Sequence, residues 1–128
     1  MDRTLALTGA LAAHLVVAVV HGVSHGLLPV GLAPWQNAVV LVAVFAGPVA
    51  GVALVRRGHP LGLPLFTLTM AVGLVFGGVF HFLLENPDHV HALPAGAWRL
   101  PFQITAVGLV LTGAVGTALG GWHWWRRG

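Results

Sequence analysis

Histidine is the residue type whose spacing in this chain best suggests chemistry. His21 and His25 are four residues apart, and His14 lies seven residues before His21. On a helix with ~3.6 residues per turn, the three side chains lie within about 40° of one another. Two imidazoles at this i, i+4 spacing can bind one ion from a single face of a helix. The segment therefore predicts a helix face that binds a metal ion.

A second group of polar residues follows a later apolar stretch. His81 lies near the end of that stretch, and we expect it to complete a metal site with His21 and His25, since imidazole binds zinc, copper and iron. Residues that ligate a metal are commonly oriented by further polar groups. The expected auxiliary ligands or orienting residues are the four polar residues that follow: Glu85, Asp88, His89 and His91.

The absence of cysteine limits the type of site. It excludes disulfides, thiolate zinc sites and iron–sulfur clusters. A transition metal (Cu, Zn or Fe) held by nitrogen and oxygen remains, as does haem b with His21 and His81 as axial ligands. Through His21, His25 and His81, the predicted architecture resembles small b-type cytochromes and haem-anchoring membrane subunits. That resemblance implies a haem between the helices.

Four apolar stretches must position these residues, and they fill nearly all of the 128-residue chain. Each reaches the ~20 residues that cross a membrane as a helix. Only 7% of the residues are charged, against about 25% in a soluble domain. We therefore predict an all-α integral membrane four-helix bundle, up-down-up-down, as one transmembrane domain over residues 1–128. The helices are predicted at 5–28, 35–55, 61–84 and 102–121, with a long loop at 85–101.

The arginines predict the orientation of this bundle. Five of the six basic residues precede the first stretch, follow the fourth or separate the second from the third: Arg3, Arg56, Arg57, Arg126 and Arg127. By the positive-inside rule both termini are cytoplasmic and the long loop is outside, in a multi-pass plasma-membrane protein. The arginines form no basic stripe for nucleic acid. The expected partners are the lipid bilayer, other membrane subunits or a second copy of the chain.

Depth within the bilayer separates His14 from the other histidines. At ~1.5 Å of rise per residue, His14 falls near the middle of the membrane, and His21 and His25 fall toward the outer face. Thr112 in the fourth stretch falls at a depth similar to that of His14. We expect a hydrogen bond between these two mid-membrane residues, because polar side chains in a bilayer pair across helices.

Glycines at four-residue spacing predict where the helices approach closely. Three pairs have this spacing: Gly47 and Gly51, Gly73 and Gly77, and Gly116 and Gly120. Continuing the middle row by fours gives His81 and Glu85, so these two residues should share a helix face with the glycines.

The leading interpretation is a small multi-pass membrane protein with a histidine-based metal or haem site near its outer face. Such a site would serve electron transfer, metal handling or a partner membrane enzyme. Catalysis by the chain itself is less favoured, because the segment from His21 to His25 lacks the glutamate of the HExxH motif. One alternative is a cofactor-free structural or scaffold subunit. Another is a proton-linked transporter or sensor, since histidine titrates near neutral pH.

Overall fold

The computed structural model describes residues 2–127 and contains four long helices, with no strand in that range. They are α1 (Arg3–Leu27), α2 (Pro34–Arg56), α3 (Gly62–Leu83) and α4 (Arg99–Trp125). Each is long and apolar enough to cross a membrane. The predictions of an all-helical chain and of four long apolar helices are confirmed.

The helix ends follow local chemistry. The carboxylate of Asp2 caps α1 by accepting a hydrogen bond from the backbone N–H of Thr4 at 2.8 Å. The fourth helix begins at Arg99 instead of residue 102 and ends at Trp125 instead of residue 121. The earlier start places Pro101 in the first turn, where its missing N–H has no partner to lose. This proline therefore lies inside the helix rather than ending the preceding loop.

Two of the helices contain wide π-helical turns. In α2 the turn at Val40–Ala46 directly precedes Gly47 and Pro48. Pro48 has no N–H and its ring crowds the carbonyl of the residue four positions earlier, which disfavours a regular α-turn there. In α3 the turn at Val79–Leu83 contains His81, and the N–H of Leu84 bonds to the carbonyl of Val79 at 2.9 Å. Such turns are frequent at functional sites.

Glycines allow α3 to lie close to its two neighbours. A Cβ atom added to Gly51 of α2 would lie 2.7 Å from the backbone of Phe66 in α3. In α4, Gly116 lies against Met70 of α3, and Gly120 lies against Phe66 and Thr67, about one turn earlier in α3. A side chain at Gly51 would meet this backbone and force α2 and α3 apart, whereas at Gly116 the flexible end of Met70 would have to move. The glycine pairs of α2 and α4 therefore lie at helix contacts, as small residues do in closely packed helices.

Two clusters of buried apolar side chains lie at opposite ends of the bundle. The first packs the start of α1 against α2 and α3: Leu7, Leu11, Val52, Val55, Leu63, Phe66 and Met70. The second joins the segment after α1, the loop between α3 and α4, and the start of α4: Leu28, Val30, Val90, Leu93, Phe102 and Ala106. The second cluster lies beside the histidines.

Candidate metal centre

Three histidines meet where α1 and α3 end. His21 and His25 lie in the last two turns of α1, and His81 lies in the π-helical turn of α3. Each offers one nitrogen, and these nitrogens lie within 4.8 Å of one another. His21 and His81 are buried, and His25 is partly buried. The three residues are therefore close enough together to hold a metal ion.

The hydrogen bonds of His21 determine which of its nitrogens is free. Its Nδ1 lies 2.9 Å from Oγ1 of Thr105. That hydroxyl donates its own hydrogen to the carbonyl of Pro101 at 2.7 Å, so it accepts from Nδ1–H of His21. The lone pair of His21 is then on Nε2, a buried atom with no hydrogen-bond partner in the described part of the chain. The ring is oriented like that of a metal ligand, which donates its other N–H to a protein oxygen.

The other two rings are held in the same way. Nδ1 of His25 lies 3.2 Å from the carbonyl oxygen of Val30, and Nδ1 of His81 lies 3.0 Å from the carbonyl oxygen of Asp88. A carbonyl oxygen only accepts, so Nδ1 is the protonated nitrogen in both rings. His21 and His81 are thus assigned the tautomer that leaves the lone pair on Nε2. In His25 the Nε2 atom faces a carboxylate oxygen of Asp88 at 3.0 Å, a contact that requires a proton between the two atoms.

The carboxylate of Asp88 lies against two of these rings. Its Oδ1 is 3.0 Å from Nε2 of His25, and its Oδ2 is 3.3 Å from Nδ1 of His81. Asp88 is only 3% exposed. A cation bound here would take the place of the proton between this oxygen and Nε2 of His25, and the carboxylate could ligate that cation or offset its charge.

The loop between α3 and α4 folds over the histidines and positions this carboxylate. The backbone N–H of Asp88 bonds to the side chain of Asn86 at 2.9 Å, and the N–H of Val90 bonds to the carbonyl of His81 at 3.0 Å. From α4, Gln103 donates to the carbonyl of Val90 at 2.8 Å. The loop is therefore tied to both helices that it connects.

The remaining three candidate ligands lie elsewhere. Glu85 is exposed, because α3 ends at Leu83 and Leu84 is extended, so the row of four-residue steps stops at His81. His89 uses both nitrogens locally: Nε2 bonds to the carbonyl of Phe82 at 3.2 Å, and Nδ1 accepts from the N–H of His91 at 3.1 Å. His91 itself is exposed. Within residues 2–127, Asp88 is the candidate auxiliary residue whose side chain contacts the cluster.

A cavity of about 180 Å³ adjoins the cluster and is lined by all three histidines and Asp88. Gly73 and Gly77 of α3 line it as well. Gly73 also lies at the expected helix contact, because a Cβ there would meet Val44 of α2 at 3.4 Å. Gly77 instead provides space, since a Cβ there would meet, among residues 2–127, only His81 of its own helix, at 3.8 Å.

His14 lines the same cavity. Its Nδ1 lies 2.9 Å from Oγ1 of Thr112, a hydroxyl that donates to the carbonyl of Gly108 at 2.8 Å. The Nδ1 of His14 is therefore the donor. Its Nε2 is buried and has no hydrogen-bond partner among residues 2–127. His14 thus has the same tautomer as His21 and His81.

The dimensions of the site suit a single ion better than a haem. The ring centroids of His21 and His81 are 4.8 Å apart with the rings edge to face, so these rings touch each other where an axial pair would have a macrocycle between them. An apolar cavity of ~150 Å³ holds benzene, and four linked pyrrole rings are far larger. On a tetrahedral zinc ion with bonds of ~2.1 Å, two nitrogens lie about 3.4 Å apart. The three nitrogens, which lie within 4.8 Å of one another, would therefore have to move closer together by up to about 1.4 Å to share one ion.

Comparisons with family models, with curated proteins and with solved structures found no match to this chain. The functional conclusion therefore depends on the geometry of the site.

Proposed function

We propose that this chain is a small multi-pass membrane protein that binds one transition-metal ion through Nε2 of His21, His25 and His81. Asp88 serves as a fourth ligand or offsets the charge of the ion. The observation that carries this proposal is the common orientation of the three rings, each with Nδ1 bonded to a protein oxygen. A buried polar atom without a partner costs about 1–3 kcal/mol. Nε2 of His21 is such an atom, and a bound cation would satisfy it.

The donor set indicates the class of ion. Imidazole nitrogens with one carboxylate suit zinc, copper and iron, whereas calcium and magnesium prefer oxygen ligands alone. The site would serve metal handling if the ion is released to a partner, or electron transfer if the ion is copper or iron. The close contact between His21 and His81 favours either role over haem binding.

The surface of the bundle supports placing this site in a membrane. Large apolar side chains are exposed on all four helices, for example Leu5, Leu41, Val75 and Leu111, each more than 60% exposed. Lipid would cover such side chains, whereas water would not favour them. With the arginines on the cytoplasmic side, the bundle is up-down-up-down and the histidine end lies near the outer face of the plasma membrane.

Cysteine labelling tests this orientation, because the natural chain contains no cysteine. Ala95→Cys lies in the exposed loop between α3 and α4, and His59→Cys lies in the exposed loop between α2 and α3. In intact cells, a membrane-impermeant maleimide should label the first variant and not the second. Both should react once the membrane is opened, and the reverse pattern in intact cells would contradict the orientation.

Metal analysis tests the binding proposal. Purified protein is incubated with zinc, copper(II), iron(II) or cobalt(II), dialysed, and measured for metal per chain. We expect about one ion per chain for the natural sequence and a loss of binding of about tenfold or more for His21→Ala, His25→Ala and His81→Ala. His91→Ala is the matched control, since His91 is exposed. Equal binding by all four variants, or a haem absorption band in place of bound ion, would refute the proposal.

A further inference from the structure

The cavity beside the histidines is larger than one ion requires. Its volume is about 180 Å³, and an apolar cavity of ~150 Å³ is enough to hold benzene. The three candidate ligands and Asp88 all line it. An ion bound by the three histidines, with Asp88 offsetting its charge, would have its fourth position facing the open space, as in metal sites that keep a coordination position for a further ligand.

The walls of this space are mainly apolar. Beyond the ion cluster, the polar lining residues are His14 and Asn37, and the rest are glycines and aliphatic or aromatic residues, among them Val40, Val44, Phe45, Phe76 and Leu109. No arginine lines the cavity within the described residues. An anion would lose its hydration there with only the ion itself in compensation. The lining therefore favours an uncharged molecule.

His14 provides a second indication that the cavity holds something. It is 3% exposed, lines the cavity, and its Nε2 has no hydrogen-bond partner in the described chain. Because Thr112 fixes Nδ1 as the donor, Nε2 can only accept. A water molecule or an N–H or O–H group in the cavity would satisfy it.

The cavity is open between α1 and α2. Gly22 of α1 and Asn37 of α2 line it and are both exposed. A Cβ atom added to Gly22 would meet nothing within 4 Å among the described residues. A small molecule can therefore reach the ion cluster from the side of the bundle while the loop over the histidines stays in place.

We infer that this cavity binds a small, uncharged, mainly apolar molecule whose nitrogen, oxygen or sulfur atom coordinates the bound metal ion. The inference rests on the proposed metal site. The donor atom faces the ion and the apolar body occupies the space over Gly73 and Gly77. The cavity volume limits the molecule to roughly the size of benzene.

The test uses the full chain in detergent, loaded with cobalt(II), whose visible absorption changes when its ligands change. Pyridine is the probe, because it is uncharged, benzene-sized and carries one nitrogen donor.

The variant Gly77→Leu should fill the cavity. A Cβ there would meet Cδ2 of His81 at 3.8 Å, which is an ordinary contact. Gly78→Leu is the control, since Gly78 lies in the same turn but outside the cavity lining. We expect pyridine affinity about tenfold weaker in Gly77→Leu and unchanged in Gly78→Leu, with equal cobalt content.

The outcomes separate this inference from the proposed function. If the natural chain binds no cobalt, the metal site itself is wrong. If it binds cobalt but pyridine leaves the spectrum unchanged, or if azide binds as tightly as pyridine, the inference is wrong and the metal site stands. Unaltered pyridine binding by Gly77→Leu would overturn it too. Should Gly77→Leu lose cobalt, pyridine binding is compared in a second pair of variants. These are Gly22→Phe at the cavity mouth and, as its control, Gly26→Phe one turn further along α1.

Discussion

The hydroxyl of Thr105 holds the ring of His21. It donates to the carbonyl of Pro101 at 2.7 Å and lies 2.9 Å from Nδ1 of His21. This single contact assigns the proton to Nδ1 and leaves the lone pair of Nε2 for a ligand. Helix α4 thus orients a candidate ligand that belongs to α1.

Replacing this hydroxyl should weaken metal binding without removing a ligand. Thr105→Val keeps the size of the side chain but removes the acceptor for Nδ1–H of His21. Loss of such an orienting hydrogen bond typically costs about 10–100-fold in metal affinity. We expect a decrease in that range for zinc, measured by competition with a chromophoric chelator.

The matched control is Thr112→Val in the same helix. Thr112 makes the equivalent contact with His14, which lies outside the group of three histidines. Its replacement should leave zinc affinity within about twofold of the natural chain. Equal losses in the two variants would mean that the threonines support the fold rather than the ligand.

Removing the negative charge of Asp88 should also weaken binding. Asp88→Asn keeps the shape of the side chain and the backbone carbonyl that accepts from His81, but an amide neither ligates nor neutralises a cation as a carboxylate does. We expect zinc affinity to decrease at least about tenfold, measured by the same titration. Glu85→Gln, an exposed acidic position three residues earlier, should bind as the natural chain does. A similar decrease in Glu85→Gln would indicate a general effect of net charge.

Bound zinc should stabilise the folded chain. At a free concentration about 100 times the dissociation constant, a ligand specific to the native state adds about 2.7 kcal/mol to the free energy of unfolding. Thermal unfolding in detergent should therefore shift upward for the natural chain and not for His81→Gln. Magnesium is the control ion, because it prefers oxygen ligands. A magnesium shift as large as that of zinc would argue against a site made of imidazoles.

The close approach of α2 and α3 predicts a further stability difference. Gly51→Ala would place a Cβ 2.7 Å from the backbone of Phe66, and overpacking of this kind costs about 1–3 kcal/mol. Gly26→Ala faces open space and should be neutral or stabilising by up to about 1 kcal/mol, since alanine favours the helix. Unfolding of the two variants in detergent measures the difference. Equal stability would mean that the helices can separate at no cost.

The helices and the histidine group could be predicted because both follow from periodicity. Long apolar runs specify helices, and the spacing of His21 and His25 places both rings on one face of α1 whatever the helix packs against. The position of His81 near the end of α3 follows from helix length alone. These features need only the geometry of a single helix.

The partners of the histidines could not be predicted in the same way. Asp88 reaches the cluster and Glu85 does not, because α3 ends at Leu83 and the loop then turns back over the helix end. The four-residue row that suggested Glu85 assumes that the helix continues. Thr105 is distant from His21 in sequence, so its contact depends on how α1 and α4 pack. The cavity beside Gly73 and Gly77 depends in turn on the packing of all four helices.

The loop over the histidines has a consequence for the lifetime of a bound ion. Asp88 is anchored close to Val90 and Leu93, whose buried side chains pack against Phe102 and Ala106. Exposing one such side chain costs roughly 1.5–3 kcal/mol. Because Asp88 moves with this loop, its detachment from a cation is coupled to that exposure. We therefore expect slow exchange, with a residence time governed by how often the loop detaches.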